Sequence, residues 1–114
     1  MRHGLLPAAV AGIVMTTAPV LAQNQAAVEK GAYIFTDQKC SLCHSVAGKG
    51  NAKGPLEDGV ANLSSDDIRQ WLVKPDAMRV KAGAERKPIM KSFAALSKGD
   101  LDALVAYLLS LKKK

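Results

Sequence analysis

The sequence predicts an all-α fold of three main helices joined by two long loops. Three observations predict it: apolar residues recur at helical spacing in three segments, an N-capping signature opens two of them, and no segment alternates in the manner of a strand. At 114 residues the chain has room for one domain. Apolar residues make up 48% but aromatics only 4%, so the core is small, and a domain of this size usually needs a staple, a metal or a bound group to be firmly stable.

The N-terminus reads as a secretory leader. Met1-Arg2-His3 is a short positive start, Leu5 to Met15 is apolar, and Thr16 to Ala22 is a small-residue segment with Val20 and Ala22 at the −3 and −1 positions of a cleavage site. The competing reading is an uncleaved membrane anchor, because Leu5 to Ala22 is uncharged and about the minimum length that spans a bilayer. Pro7, Gly12 and Pro19 make that stretch a poor permanent helix. We therefore expect a leader over residues 1–22, a single domain over 23–114, and export to an oxidising compartment, the bacterial periplasm. Cys40 is the first cysteine, so none is available for lipid attachment at the cleavage site.

The first helix is expected from Ala26 to about Thr36, where Ala27, Tyr33, Ile34 and Phe35 can share an apolar side. Ser45 to Asn62, rich in Gly, Lys and Asn and holding Gly54-Pro55, reads as a loop. Ser64-Ser65-Asp66-Asp67 opens the second helix, Ile68, Trp71 and Leu72 give it an apolar face, and Pro75 is expected to end it. Asp76 to Phe93 reads as a second, basic loop containing Met78, Pro88 and Met90. Ser97-Lys98-Gly99-Asp100 opens the last helix, with Leu101, Leu104, Val105 and Leu108 as its stripe. Two long structureless loops are uncommon in a compact domain, unless something large sits between them.

Cys40-Ser41-Leu42-Cys43-His44 supplies that something. Two thiols three residues apart lie on one helical turn, where each can add to a haem vinyl group, and the next residue, His44, is aimed at the iron. A structural zinc site would want four Cys or His ligands, and the chain past the leader holds only Cys40, Cys43 and His44. A thioredoxin-like dithiol would want a strand-helix sandwich, and a simple disulfide leaves the long loops unexplained. With His3 lost in the leader, a second histidine ligand is excluded. The thioether candidates for the sixth position are Met78 and Met90, both placed in the second loop; spacing alone leaves both open.

These residues resemble class I (mono-haem) cytochromes c over about Val28 to Lys112. Gly31 and Phe35 resemble the family's first helix, Gly54-Pro55 followed by Gly59-Val60 its segment behind the proximal histidine, and Met90, Phe93, Leu96 and the run Leu101 to Leu108 its distal loop and terminal helix. The resemblance implies a fold wrapped around one covalent haem c, Met90 as the distal iron ligand beside His44, and first and last helices meeting where Gly31 allows close approach near Tyr107. It implies further that the Pro55 carbonyl holds the other nitrogen of His44. Two positions depart from the family's pattern: Lys91 follows Met90 where Pro is frequent, and Glu57 stands where Leu is frequent, beside Leu56.

Function follows as an expectation. Histidine and thioether together fill both axial positions, which suits outer-sphere electron transfer and leaves no open site for substrate, so the chain is expected to carry electrons and not to be an enzyme. A haem peroxidase would need an open distal side and acid-base groups. A dedicated redox subunit of a dehydrogenase or oxidase would share the chemistry but have a fixed partner. Loss of Arg2 lowers the net charge of +6 by one, and a basic surface suits an acidic redox partner. Lys39, Lys49, Lys53 and Lys91 flank the two ligand regions and are expected to ring the exposed haem edge. Scattered lysines without interleaved aromatics argue against nucleic acid. Trp71, or Arg86 with Lys87, is expected to hold a haem propionate, and the protein is expected to be monomeric, without stable membrane insertion once the leader is removed.

Overall fold

The computed structural model describes residues 20–112. The expected leader therefore lies mostly outside the described residues. Helix α1 (Val20–Asp37) is followed by a 3-10 turn (Cys40–Leu42), a two-residue antiparallel hairpin of β1 (Ser45–Val46) and β2 (Lys49–Gly50), and the single turn α2 (Leu56–Gly59). Helices α3 (Ser65–Val73), α4 (Pro75–Ala82) and α5 (Lys98–Ser110) complete the chain. Among the described residues no helix is long and apolar enough to cross a membrane.

The two ends of the domain make its main packing surface. Ile34 and Phe35 of α1 and Leu101, Leu104, Val105 and Leu108 of α5 are buried together. Gly31 is what lets the backbones meet: a Cβ placed there would stand 2.1 Å from the Ala103 carbonyl oxygen and 2.5 Å from Tyr107 Cβ. The Phe35 and Tyr107 rings lean on each other with centroids 5.4 Å apart and planes at 59°, the tilted arrangement that ring quadrupoles favour. Leu104 is fully buried, so its truncation to Ala would cost about 2–5 kcal/mol.

α3 completes the core with Ile68 and Leu72, and the sequence explains where it starts. The Ser64 hydroxyl accepts the Asp67 N–H, and the Asp67 carboxylate accepts the Ser64 N–H in return, a full capping box. At α5 only half of that exchange forms. The Ser97 hydroxyl accepts the Asp100 N–H, while the Asp100 carboxylate reaches the Lys30 ammonium of α1 at 3.3 Å. Asp102 ties α3 to α5 through Arg69 and also meets Lys98 at 2.9 Å.

Two loop expectations are corrected. Pro75 does stop α3, because its ring drives Lys74 out of the helical region, to φ −134° and ψ 57°. It then serves as the first residue of α4, where a fixed φ and a missing N–H do no harm. Asp76 in the first turn, Arg79 and Lys81 in the last turn and Gly83 in the left-handed conformation at the end all favour that helix, so Met78 stands on a helix and not in a loop. The first loop likewise contains the short hairpin, although no strand pattern was expected there. α1 also begins earlier than expected, at Val20, and cleavage after Ala22 would fall in its first turn.

Candidate functional site

The Cys-x-x-Cys-His segment is set by the end of α1. Lys39 adopts the left-handed conformation, φ 60° and ψ 35°, which turns the chain off the helix axis. The next residues close a tight turn, with the Cys43 and His44 N–H groups both donating to the Cys40 carbonyl at 3.2 and 3.0 Å. Both thiols are free and half-buried, and Leu42 between them is exposed. Burial pushes the Cys40 thiol up to about 11, against the opposing pull of the Lys91 charge nearby.

His44 is half-buried, and burial lowers its pKa below the ordinary histidine value. A backbone hydrogen bond to Gly54 acts in the opposite direction and the Arg86 charge adds to the lowering. The ring is thus neutral at neutral pH, the form that can donate a lone pair to a metal. Its backbone partner is Gly54, one residue before the expected Pro55; the Pro55 carbonyl accepts the Gly59 N–H at 3.0 Å. Gly54 also accepts the Ser45 N–H at 2.9 Å, so the same carbonyl region anchors the strand that follows the histidine.

Asn51 is the residue that sequence reading missed. Its side-chain amide donates to the Leu42 carbonyl at 3.1 Å, and its backbone N–H lies 3.1 Å from both the Ser41 and the His44 carbonyl oxygens. Its side-chain oxygen accepts the Lys53 N–H at 3.0 Å, an Asx turn that holds the side chain in place. One side chain thereby pins the segment that carries both thiols and the imidazole. The neighbouring Gly50 sits at φ 109°, where a Cβ would be 2.3 Å from the His44 carbonyl oxygen, so only glycine fits. Glu57, which stands where the family often has Leu, braces the hairpin. Its carboxylate accepts the Ala47 N–H at 2.7 Å, holding a turn in which residue 47 has φ 52°.

Met90 lies half-buried against the core, in a segment tied to α3 by the Phe93 N–H donating to the Leu72 carbonyl at 2.7 Å and by the Ser92 hydroxyl donating to the Val73 carbonyl. It lines a depression with Val73, Pro75, Ala77, Ile89 and Lys91. Met78 is also half-buried, on α4. Trp71 is half-buried on α3, and Arg86 and Lys87 line a separate pocket. Lys39, Lys49, Lys53 and Lys91 are all exposed, and the Lys91 ammonium rests 5.2 Å from the centre of the Phe93 ring.

The donor set fits a covalently attached haem. Two reduced thiols on one turn suit two thioether bonds, and a neutral imidazole next in sequence would suit the iron as a ligand. A domain of one small helical core, with its thiols and imidazole on a loop braced from behind, has the design of a cofactor-wrapping electron-transfer protein. The cytochrome c family model matches residues 28–112, so the chain belongs to the cytochrome c family. A more distant likeness is to cytochrome c oxidase subunit 2 of Alkalihalophilus pseudofirmus (strain ATCC BAA-2126 / JCM 17055 / OF4), 26% identical over 105 residues, which cover 84% of this chain and 29% of that protein. The chain thus spans under a third of the length of that relative. No solved structure matches. Family membership brings covalent haem c, with its iron, and a role in electron transport.

Proposed function

We propose that the protein is a periplasmic one-electron carrier whose haem iron is ligated by His44 and Met90 and whose partners are acidic redox proteins. Bound haem supplies a reversible ferrous-ferric couple, and the chain does the rest. Cys40 and Cys43 would tether the group through their sulfurs, and His44, kept neutral by burial and steadied by Gly54, would give its free nitrogen to the iron. A thioether from Met90 bound to the iron would favour the ferrous state and raise the potential. The observation that carries the reading is the braced turn holding Cys40, Cys43 and His44 together, on a chain with no second histidine past the expected leader.

Met90→Ala should abolish the weak red sulfur-to-iron band of the oxidised protein and open the iron to added ligands, while Met78→Ala should leave the band in place. The reverse pattern would transfer the ligand role to Met78. Partner chemistry is tested by salt. The exposed lysines should steer encounter with an acidic partner, and such complexes depend on charge for speed more than for affinity. Raising ionic strength from ~0.01 to ~0.15 M shortens the Debye length from roughly 30 to 8 Å and should slow the bimolecular rate strongly. Rates that stay flat or rise with salt would sink the steering argument.

A second reading has one observation in its favour, the likeness to an oxidase subunit. On it the chain is a dedicated redox unit held by an oxidase, and native co-purification with a large enzyme would be its signature.

A further inference from the structure

The two-residue loop at the tip of the hairpin is strained. Ala47 and Gly48 both have positive φ, 52° and 79°, as a tight turn between two right-twisted strands demands. Glycine takes that conformation freely, but an alanine there persists only where its surroundings hold it. Ala47 has no polar side chain with which to hold itself, and the help comes from a residue ten positions further along. The Glu57 carboxylate accepts the Ala47 N–H at 2.7 Å, and a backbone bond to a charged acceptor is among the strong ones.

Glu57 stands on the same short element that backs the histidine. Gly54 and Pro55 lead directly into α2, and Glu57 is its second residue. The Gly54 carbonyl accepts the Ser45 N–H at 2.9 Å and is also the backbone partner of the His44 ring. Ser45 is buried, pairs with Gly50 across the hairpin and bridges to Pro55. These bonds close a ring: from the imidazole to Gly54, along α2 to Glu57, across to Ala47, and back down β1 to Ser45 and His44. Within this ring the bond from Ala47 to Glu57 is the one that depends on a side chain other than the histidine's own. A carbonyl oxygen has two lone pairs, so a Ser45 N–H held on one of them fixes the direction left for the imidazole. A hairpin released at its tip would carry Ser45 with it and let that carbonyl turn.

We infer that Glu57 is a positioning residue for the iron ligand: by holding the Ala47 turn it keeps Ser45 on the Gly54 carbonyl, and so fixes the hydrogen bond that orients the His44 ring. The inference rests on the proposed ligation of a covalent haem by His44. The partner of a metal-bound histidine's other nitrogen sets the ring's orientation and basicity, and through them the potential. A leucine in place of Glu57 would offer no acceptor, so this control belongs to this chain and not to the family's frequent pattern. Burial raises the Tyr107 phenol and the Glu57 charge adds to the rise, so the carboxylate has a rival route of action, by charge alone. Glutamine separates the two, because it keeps an acceptor oxygen and loses the charge.

The test uses the haem-loaded protein. Absence of haem staining on a denaturing gel would overturn the cofactor and this inference with it. In the unaltered protein the Ala47 amide, although its residue is exposed, should be protected from exchange with solvent; exchange as fast as in an open loop would overturn the brace without any variant being made. Glu57→Leu should speed exchange of the Ala47 and Ser45 amides about tenfold or more. It should also broaden the His44 ring N–H resonance of the ferrous protein and raise the midpoint potential, since a ring with a weaker partner donates less to ferric iron. Glu57→Gln should keep all three near wild type. Equal shifts of potential in both variants, with the His44 signal unmoved, would show that Glu57 acts by charge and would overturn the inference. A His44 ring N–H signal identical in the ferrous and ferric states would overturn ligation by His44, and the inference with it. A redox-sensitive signal that Glu57→Leu leaves untouched would overturn the inference alone.

Discussion

Replacing Gly31 by alanine should loosen the whole domain, and the structure sets the size of the effect. The new Cβ would stand 2.1 Å from the Ala103 carbonyl oxygen and 2.5 Å from Tyr107 Cβ. Both neighbours belong to the middle of α5, one of them is backbone, and neither can swing aside as a side-chain tip could. Relief therefore requires α5 to retreat by roughly 1 Å, which would open the contacts of Phe35, Leu104 and Leu108 together. Overpacking of this kind costs about 1–3 kcal/mol, and the loss of core contacts pushes toward the upper end. Alanine recovers up to about 1 kcal/mol of helix propensity over glycine. The balance is a net destabilisation of about 2 kcal/mol, which for a domain of this size lowers Tm by about 8–16 °C. Thermal unfolding of the haem-loaded protein, followed by far-ultraviolet circular dichroism, measures it. Gly99→Ala is the matched control: its nearest neighbour would be the Lys30 ammonium, at an easy 3.7 Å, so that variant should be neutral or stabilised by up to about 1 kcal/mol. A Gly31→Ala protein as stable as wild type would refute the argument from close approach.

Two further outcomes follow from the same geometry. Asn51→Ala removes the side-chain bonds to the Leu42 carbonyl and the Lys53 N–H, at about 1 kcal/mol each, and should broaden the haem absorption bands and lower the unfolding free energy from denaturant titration by about 2 kcal/mol; unchanged bands and free energy would show that the backbone bonds suffice. Asp102 is held below its ordinary pKa by hydrogen bonds from Lys98 and then Arg69, so its stabilisation is present above the unfolded carboxylate value of about 3.9 and is lost as pH falls through the lower folded value. Asp102→Asn should therefore flatten the loss of Tm below about pH 4 while mattering less to its slope near neutrality, as thermal melts across pH 2–7 would reveal.

What the sequence could disclose depended on how local each cause was. The Ser64-Asp67 exchange, the stripe of α5 and the haem-attachment motif are written within a few consecutive residues, and they were legible. Pro75 carried two messages at once, stopping one helix and starting the next, and a stop signal read alone hid α4. The hairpin at Ser45 to Gly50 is too short to alternate. Asn51 could not be singled out, because its partners are carbonyl oxygens that become neighbours only when the chain turns back on itself. Its Asx-turn spacing to Lys53 was the faint signal available.

The meeting of α1 and α5 at Gly31 has a consequence for how the domain can diversify. The helices nearest the two ends of the domain clamp each other, and the stretch from Gln38 to Ser97 is an excursion that leaves this clamp and returns to it, tied to it on the way by Ile68, Leu72 and the Arg69–Asp102 pair. Lengthening such an excursion is entropically mild, because doubling a flexible loop adds only about 0.6 kcal/mol of closure cost. The clamp and the exposed segments between its two arms are therefore nearly separate inheritances. Residues can be inserted into the exposed segment around Lys87, changing the surface there, while the pinned ends keep the domain shut.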